Sequence, residues 1–171
     1  MNKMASALKP ALRPYLPKDV EICAAIAEAG IAELTGDDYT EAQQEAWIAA
    51  LTDEERLGER LGKQLTLLAA LGESTVGFAS LRGTDQLDML YVHPAAIGQG
   101  VATSLCDALE KLAAARGAQK LSADVSDTAQ KFFQNRGYVP QQRNTVTVGD
   151  EWLGNTTMTK ALGDSAGKAT P

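Results

Sequence analysis

The stretch from Leu87 to Gly117, LDMLYVHPAAIGQGVATSLCDALEKLAAARG, constrains the fold of this chain more than any other. A mostly apolar run, Leu87–Val92, reads as a strand. Pro94 ends it, and Gly98-Gln99-Gly100 leads into a long segment with apolar residues on one face: Val101, Leu105, Cys106, Leu109 and Leu112. That spacing is helical. Asp107 and Lys111, four apart on the other side, are expected to pair. Arg116 and Gly117 suit the helix end. A strand that hands over through glycines to a helix N-terminus is a ready anion site, because the first N–H groups of the helix have no internal partner and the dipole is positive there. Gly98 and Gly100 allow positive φ and close approach of a ligand, and Thr103 and Ser104 could add hydroxyl donors. No lysine or arginine lies between Leu87 and Lys111, so a phosphate would be held mainly by backbone amides.

Three ligand classes use such a turn. A P-loop is excluded, because Val101 rather than lysine follows Gly100. A dinucleotide fingerprint would start directly after the strand, whereas His93–Ile97 intervene and Thr103 replaces the third glycine; Asp124, about 24 residues past Gly100, keeps that reading open as a ribose-binding acid. The third class fits best. Val92-His93-Pro94 and Gly98-Gln99-Gly100-Val101-Ala102 resemble the acetyl-CoA site of the GNAT superfamily of N-acetyltransferases. Its pattern is a strand, V-x-P, then [QR]-x-x-G-x-[GA] opening a helix, and Ile97 stands where glutamine or arginine is usual. The segment Ala129-x-x-Phe132-Phe133-x-x-x-Gly137-Tyr138 resembles a second family element, in which tyrosine is common at the position of Phe133.

The resemblance implies an α/β fold: a single domain over residues 8–162 with a mixed, mostly antiparallel sheet flanked by helices. Its central strands, Leu87–Val92 and Leu121–Val125, would splay to form the acyl-CoA cleft. Residues 163–171, small and polar, are expected to be a disordered tail. The implied cosubstrate is acetyl-CoA. Its pantetheine arm would lie along Leu90, Tyr91 and Val92, its diphosphate on Gly98, Gln99, Gly100, Val101, Ala102 and Thr103, and its thiol beside Phe133. The implied reaction is direct attack by a primary amine, of a small molecule, a peptide N-terminus or a lysine, in a ternary complex. A non-catalytic acyl-CoA-binding module is the alternative, favoured by Phe133 and Ile97. As proton acceptors the sequence offers Asp88 and Asp124, on neighbouring strands, with Glu41 and Glu45 as weaker candidates. Tyr138 is the candidate acid for the leaving thiolate, and His93 is read as a loop residue.

The remaining chain agrees with this reading. Leu8–Tyr15, broken by Pro10 and Pro14, suits an edge strand. Asp19 can cap a helix to about Ala29, with Gly30 near its end. Thr40 can open a second helix with Ala46, Trp47, Ala50 and Leu51 inside, and a third spans Asp53–Lys63. Leu65–Leu71 and Thr75–Leu81 form a hairpin. Lys120–Val125 is a strand, Ser126 caps a short helix to about Arg136, and Tyr138–Arg143 and Trp152–Ala161 are closing strands.

The net charge of −6 argues against a nucleic-acid partner and is compatible with a cationic amine. Cys23 and Cys106 read as buried apolar residues, and one histidine makes a metal site unexpected. No signal pattern and no apolar run of ~18 residues exist, so no membrane association and a cytoplasmic location are expected. The resemblance leaves a homodimer open.

Overall fold

A computed structural model describes residues 8–163; the expected tail from 164 on lies outside the described residues. In chain order the elements are β1 (Ala11–Pro14), a 3-10 turn (Pro17–Asp19), α1 (Val20–Leu34), α2 (Glu41–Leu51), α3 (Glu54–Lys63), β2 (Leu65–Leu71), β3 (Ser74–Arg82) and β4 (Gln86–Val92). A second 3-10 turn (Pro94–Ala96) leads to α4 (Val101–Ala115), β5 (Lys120–Ser126), α5 (Gln130–Asn135), β6 (Val139–Val148) and β7 (Glu151–Ala161). The seven strands form one open sheet in the order β1-β2-β3-β4-β5-β7-β6. Every neighbouring pair is antiparallel except β4 and β5. This is the mixed α/β sheet expected.

Helices cover both faces. On one side α4 buries Val101, Leu105, Cys106 and Leu109 against Leu81, Leu87, Leu121, Val125 and Met158. Removing each large apolar side chain from water contributes about 1.5–3 kcal/mol. On the other side α1 and α3 bury Cys23, Ile26, Ile31, Leu57 and Leu61 against Leu68, Phe78 and Met89. Both cysteines are free and buried.

Several local expectations are corrected. α1 does not end at Gly30 but continues to Leu34. A Cβ at Gly30 would lie 3.3 Å from the Val92 carbonyl oxygen, so this glycine serves a close approach of α1 to the end of β4 rather than a stop. Asp19 does not cap α1 through its side chain; its carboxylate takes both Arg13 terminal nitrogens and the Leu16 N–H, all at 2.8 Å. Ala50 faces solvent. Asp107 pairs with Arg136 at 2.8 Å rather than with Lys111. Ser126 caps the turn before α5, its hydroxyl accepting from the Ala129 N–H, and the helix itself begins at Gln130.

Candidate active site

The two central strands part as the resemblance implies. β4 and β5 pair only at Gln86↔Ser122 and Leu87↔Ala123. Beyond that point β4 follows β3, reaching Val92↔Gly77, while β5 follows β7 to Ser126↔Asn155. A bulge sits at the parting: Leu87 faces Leu81 and Met89 faces Ser80, leaving Asp88 as the extra residue. The His93 N–H donates to the Val76 carbonyl at 2.8 Å. Antiparallel alternation therefore turns Tyr91 and Met89 towards β3 and leaves the N–H and C=O groups of Leu90 and Val92 on the open edge.

A cavity of about 700 Å³ fills this gap, walled by Asp88–Val92, by Ala123–Ser126 and by Phe132 and Phe133 of α5. Its end is closed by Gly98, Gly100 and the first turn of α4, Val101, Ala102 and Thr103. Gly98 and Gly100 have φ of +83° and +82°, and a Cβ on either would meet nothing within 4 Å. Backbone conformation, not packing, thus selects glycine here, and the ground above the turn is open. Gly100 is the N-cap and makes no side-chain cap bond, so the next N–H groups face this space unpartnered by the helix. No lysine or arginine lines the cavity. Gln99 does not line it; its side-chain amide donates to the Ala95 carbonyl at 3.2 Å. His93 closes the preceding turn, Nδ1 accepting from the Ala95 N–H at 3.0 Å.

A second cavity, about 350 Å³, opens on the helix α1–α3 face. Trp47, Leu87, Asp88, Tyr91, Asp124 and Ser126 line both, so the two meet across the splay. Tyr39 holds the α1–α2 loop over it: its hydroxyl donates to the Gly154 carbonyl at 2.7 Å and accepts from the Asp127 N–H at 2.9 Å. Trp47 stacks edge-on against Tyr39 and donates from Nε1 to the Tyr91 hydroxyl at 3.2 Å. Burial pushes the Tyr91 hydroxyl up to about 12, so it stays protonated. Glu41 and Glu45 line neither cavity.

The candidate proton-transfer residues divide sharply. Asp88 is only 7% exposed and accepts from Arg60 Nε at 2.8 Å, Arg60 Nη2 at 3.1 Å and Gln64 Nε2 at 2.8 Å. Burial alone would raise its pKa, but the hydrogen bonds from Arg60 and Gln64 outweigh it and hold the carboxyl below the usual range. A carboxylate so engaged is a weak base; it ties the bulge of β4 to α3 and to Gln64 just after it. Arg60→Gln is expected to lower stability by about 1–2 kcal/mol, less than for a fully enclosed pair because Arg60 is partly exposed. Since the folded state depresses the Asp88 pKa, this stabilisation is complete above about pH 4 and vanishes as pH falls through the folded value. The melting difference between wild type and variant should close correspondingly in acid.

Asp124 is exposed and lines both cavities. Its Oδ1 accepts from the Thr157 hydroxyl at 2.6 Å, and Asn144 Nδ2 donates to that hydroxyl at 2.8 Å. The Asn144 contact commits the Thr157 proton to Asp124. Among the described residues, the second carboxylate oxygen has no hydrogen bond.

Tyr138, expected as the acid, lines neither cavity. It is 2% exposed, and its hydroxyl donates to Glu110 Oε2 at 2.9 Å. Glu110 also takes Arg136 at 3.0 Å and Lys160 at 2.8 Å. Burial and the Glu110 charge push the Tyr138 hydroxyl far up. It packs edge-on behind Phe133, which does line the cleft. Tyr138→Phe should therefore lower stability by about 1–2 kcal/mol, leaving Glu110 one donor short, while thiol release stays unchanged.

Residues 35–162 match the acetyltransferase (GNAT) domain family. The chain belongs to that family. It is similar to an uncharacterised N-acetyltransferase, YafP, of Escherichia coli, with 31% identity over 144 residues, 84% of this chain and 91% of the relative. Among solved structures it is similar to a GCN5-related N-acetyltransferase from Rhodopseudomonas palustris, at 58% identity and a TM-score of 0.89, covering 92% of this chain and 98% of that one. The PaiA N-acetyltransferase of Thermoplasma acidophilum, solved in complex with coenzyme A, shares the fold at 19% identity and a TM-score of 0.74, over 90% and 99% of the two chains. Among the described residues no helix is long and apolar enough to cross a membrane, and no cluster of metal-binding side chains occurs.

Proposed function

We propose that this protein transfers the acetyl group of acetyl-CoA to a primary amine within a ternary complex. The observation that carries the reading is the junction of two cavities across the β4–β5 splay, one ending at the open α4 N-terminus and the other polar. The amides of residues 98–103 receive the diphosphate, where helix dipole and unpartnered N–H groups replace basic side chains. The open-edge groups of Leu90 and Val92 hold the pantetheine arm, and an N–H among them polarises the thioester carbonyl. One such donor is typically worth ~3 kcal/mol at the transition state.

The amine arrives from the second cavity. Near pH 7 an alkylammonium with a pKa of ~10.4 costs roughly 4 to 5 kcal/mol to deprotonate. Asp124 accepts that proton, directly or through one water, freeing the lone pair that attacks the thioester carbonyl. The second N–H proton, acidic once the N–C bond has formed, passes to water. The carbonyl then re-forms, the C–S bond breaks, and water supplies the proton to the departing thiolate, because Phe133 has no hydroxyl to offer.

The test is thiol release with acetyl-CoA across a panel of amines, alongside thermal melting. Acetyl-CoA at about 100 Kd should add roughly 2.7 kcal/mol of stability, and NADH should add far less. Stabilisation by NADH and not by acetyl-CoA would replace this reading with the dinucleotide one. Binding of acetyl-CoA with no thiol release for any amine would favour the non-catalytic module.

A further inference from the structure

Four charged side chains line the second cavity: Arg60, Arg82, Asp88 and Asp124. Two of them neutralise each other, since Arg60 places two nitrogens on Asp88 within hydrogen-bond distance. Arg82 is different. Its nearest carboxylate oxygen, Asp88 Oδ1, is 3.7 Å away, beyond hydrogen-bond length, and its side chain is 54% exposed. No hydrogen bond holds its guanidinium among the described residues. At the other end, Asp124 is engaged among the described residues only by the neutral Thr157 hydroxyl. The cavity thus presents one cation held only through a long, shared ion pair with Asp88 and one anion held by a neutral hydroxyl.

Their order relative to the cleft is fixed by the sheet. Arg82 pairs with Gln86, and Gln86 with Ser122, so Arg82 stands two strands away from the residue two before Asp124. At usual strand spacing and rise this separates the Arg82 and Asp124 Cα positions by roughly 12 Å. Asp124 also lines the acyl-CoA cleft, whereas Arg82 lines only the second cavity. An acceptor whose amine meets Asp124 beside the thioester therefore points its far end towards Arg82.

We propose that the acceptor is a zwitterion, an amino acid or similarly small amine bearing an anionic group, with its ammonium at Asp124 and its anion at Arg82. This rests on the acyl-transfer reading above. A polyamine or aminoglycoside would bring a second ammonium against Arg82, and like charges at that position disfavour binding. The aromatic wall of Tyr39, Trp47 and Tyr91, with Leu153, leaves an apolar surface for the remaining side chain.

The experiment compares thiol release, at saturating acetyl-CoA, for amino acids and for the amines left when each carboxylate is removed, with spermidine and an aminoglycoside as polycations. The expected result is a kcat/KM at least tenfold higher for the best amino acid than for its decarboxylated partner, carried mainly by KM. Arg82→Gln should collapse that ratio towards one, and Arg82→Lys, which keeps the charge, should retain part of it. Preference for the polycations, or a ratio unchanged by Arg82→Gln in a protein with wild-type melting, would overturn the proposal while leaving acyl transfer intact. Binding of acetyl-CoA with no amine-dependent thiol release for any acceptor would overturn acyl transfer itself, and the zwitterion reading with it.

Discussion

Asp124→Asn is expected to lower kcat by about 10²–10⁴, the usual range for losing a positioned proton acceptor. The change is nearly isosteric, and an asparagine oxygen can still accept from Thr157, so the local packing on β7 should survive. Binding of acetyl-CoA should be unaffected, since the proposed contacts to the cosubstrate are backbone groups of β4 and the α4 turn. KM for the amine should rise as well, because the ammonium loses its counter-charge. The pH dependence separates this from a merely structural role. In the variant the amine has to reach the site already neutral, so kcat/KM should climb roughly tenfold per pH unit until the amine pKa of ~10.4. A variant with wild-type kcat at neutral pH would show that water or another group takes the proton.

The splayed strand, glycine turn and helix start that line the larger cavity were legible in the sequence because they are contiguous. Residues 87–103 carry strand, turn and helix start in one run, and the spacing of Gly98 and Gly100 before an amphipathic segment has few physical interpretations. The second cavity was not legible, because it is assembled from distant segments. Arg60 comes from α3, Arg82 from β3, Asp124 from β5 and Tyr39 from the loop before α2; the Arg60–Asp88 contact spans 28 positions and the Tyr39–Gly154 contact 115. No local pattern encodes such meetings. The same limit explains the misreading of Tyr138. Its position after Phe132-Phe133 and Gly137 marks a packed turn, but nothing nearby in sequence says that Glu110, 28 positions upstream, takes its hydroxyl. Gly30 shows the converse error: read locally it is a helix stop, whereas its reason is the Val92 carbonyl oxygen on another element.

Gly100→Val should weaken acetyl-CoA binding at least tenfold, a loss of about 1.4 kcal/mol or more. Two effects combine. The native φ of +82° is one that a branched side chain avoids, at a cost of roughly 1–2 kcal/mol, so the turn either stores that strain or rotates its amides away from the ligand. A side chain there would also occupy the open ground above the turn, where, its chain neighbours aside, no described residue lies within 4 Å of the added Cβ. The second effect costs the free protein nothing and is felt only when the diphosphate arrives. Gly83→Val is the matching control. Gly83 has a φ of +63° with equally open surroundings, but lies in the β3–β4 turn, beside the C-terminal end of α4, where Arg116 reaches its carbonyl. Both variants should lose similar stability on melting, and only Gly100→Val should lose affinity in calorimetry. Equal affinities for the two folded variants would mean that the α4 turn does not hold the diphosphate.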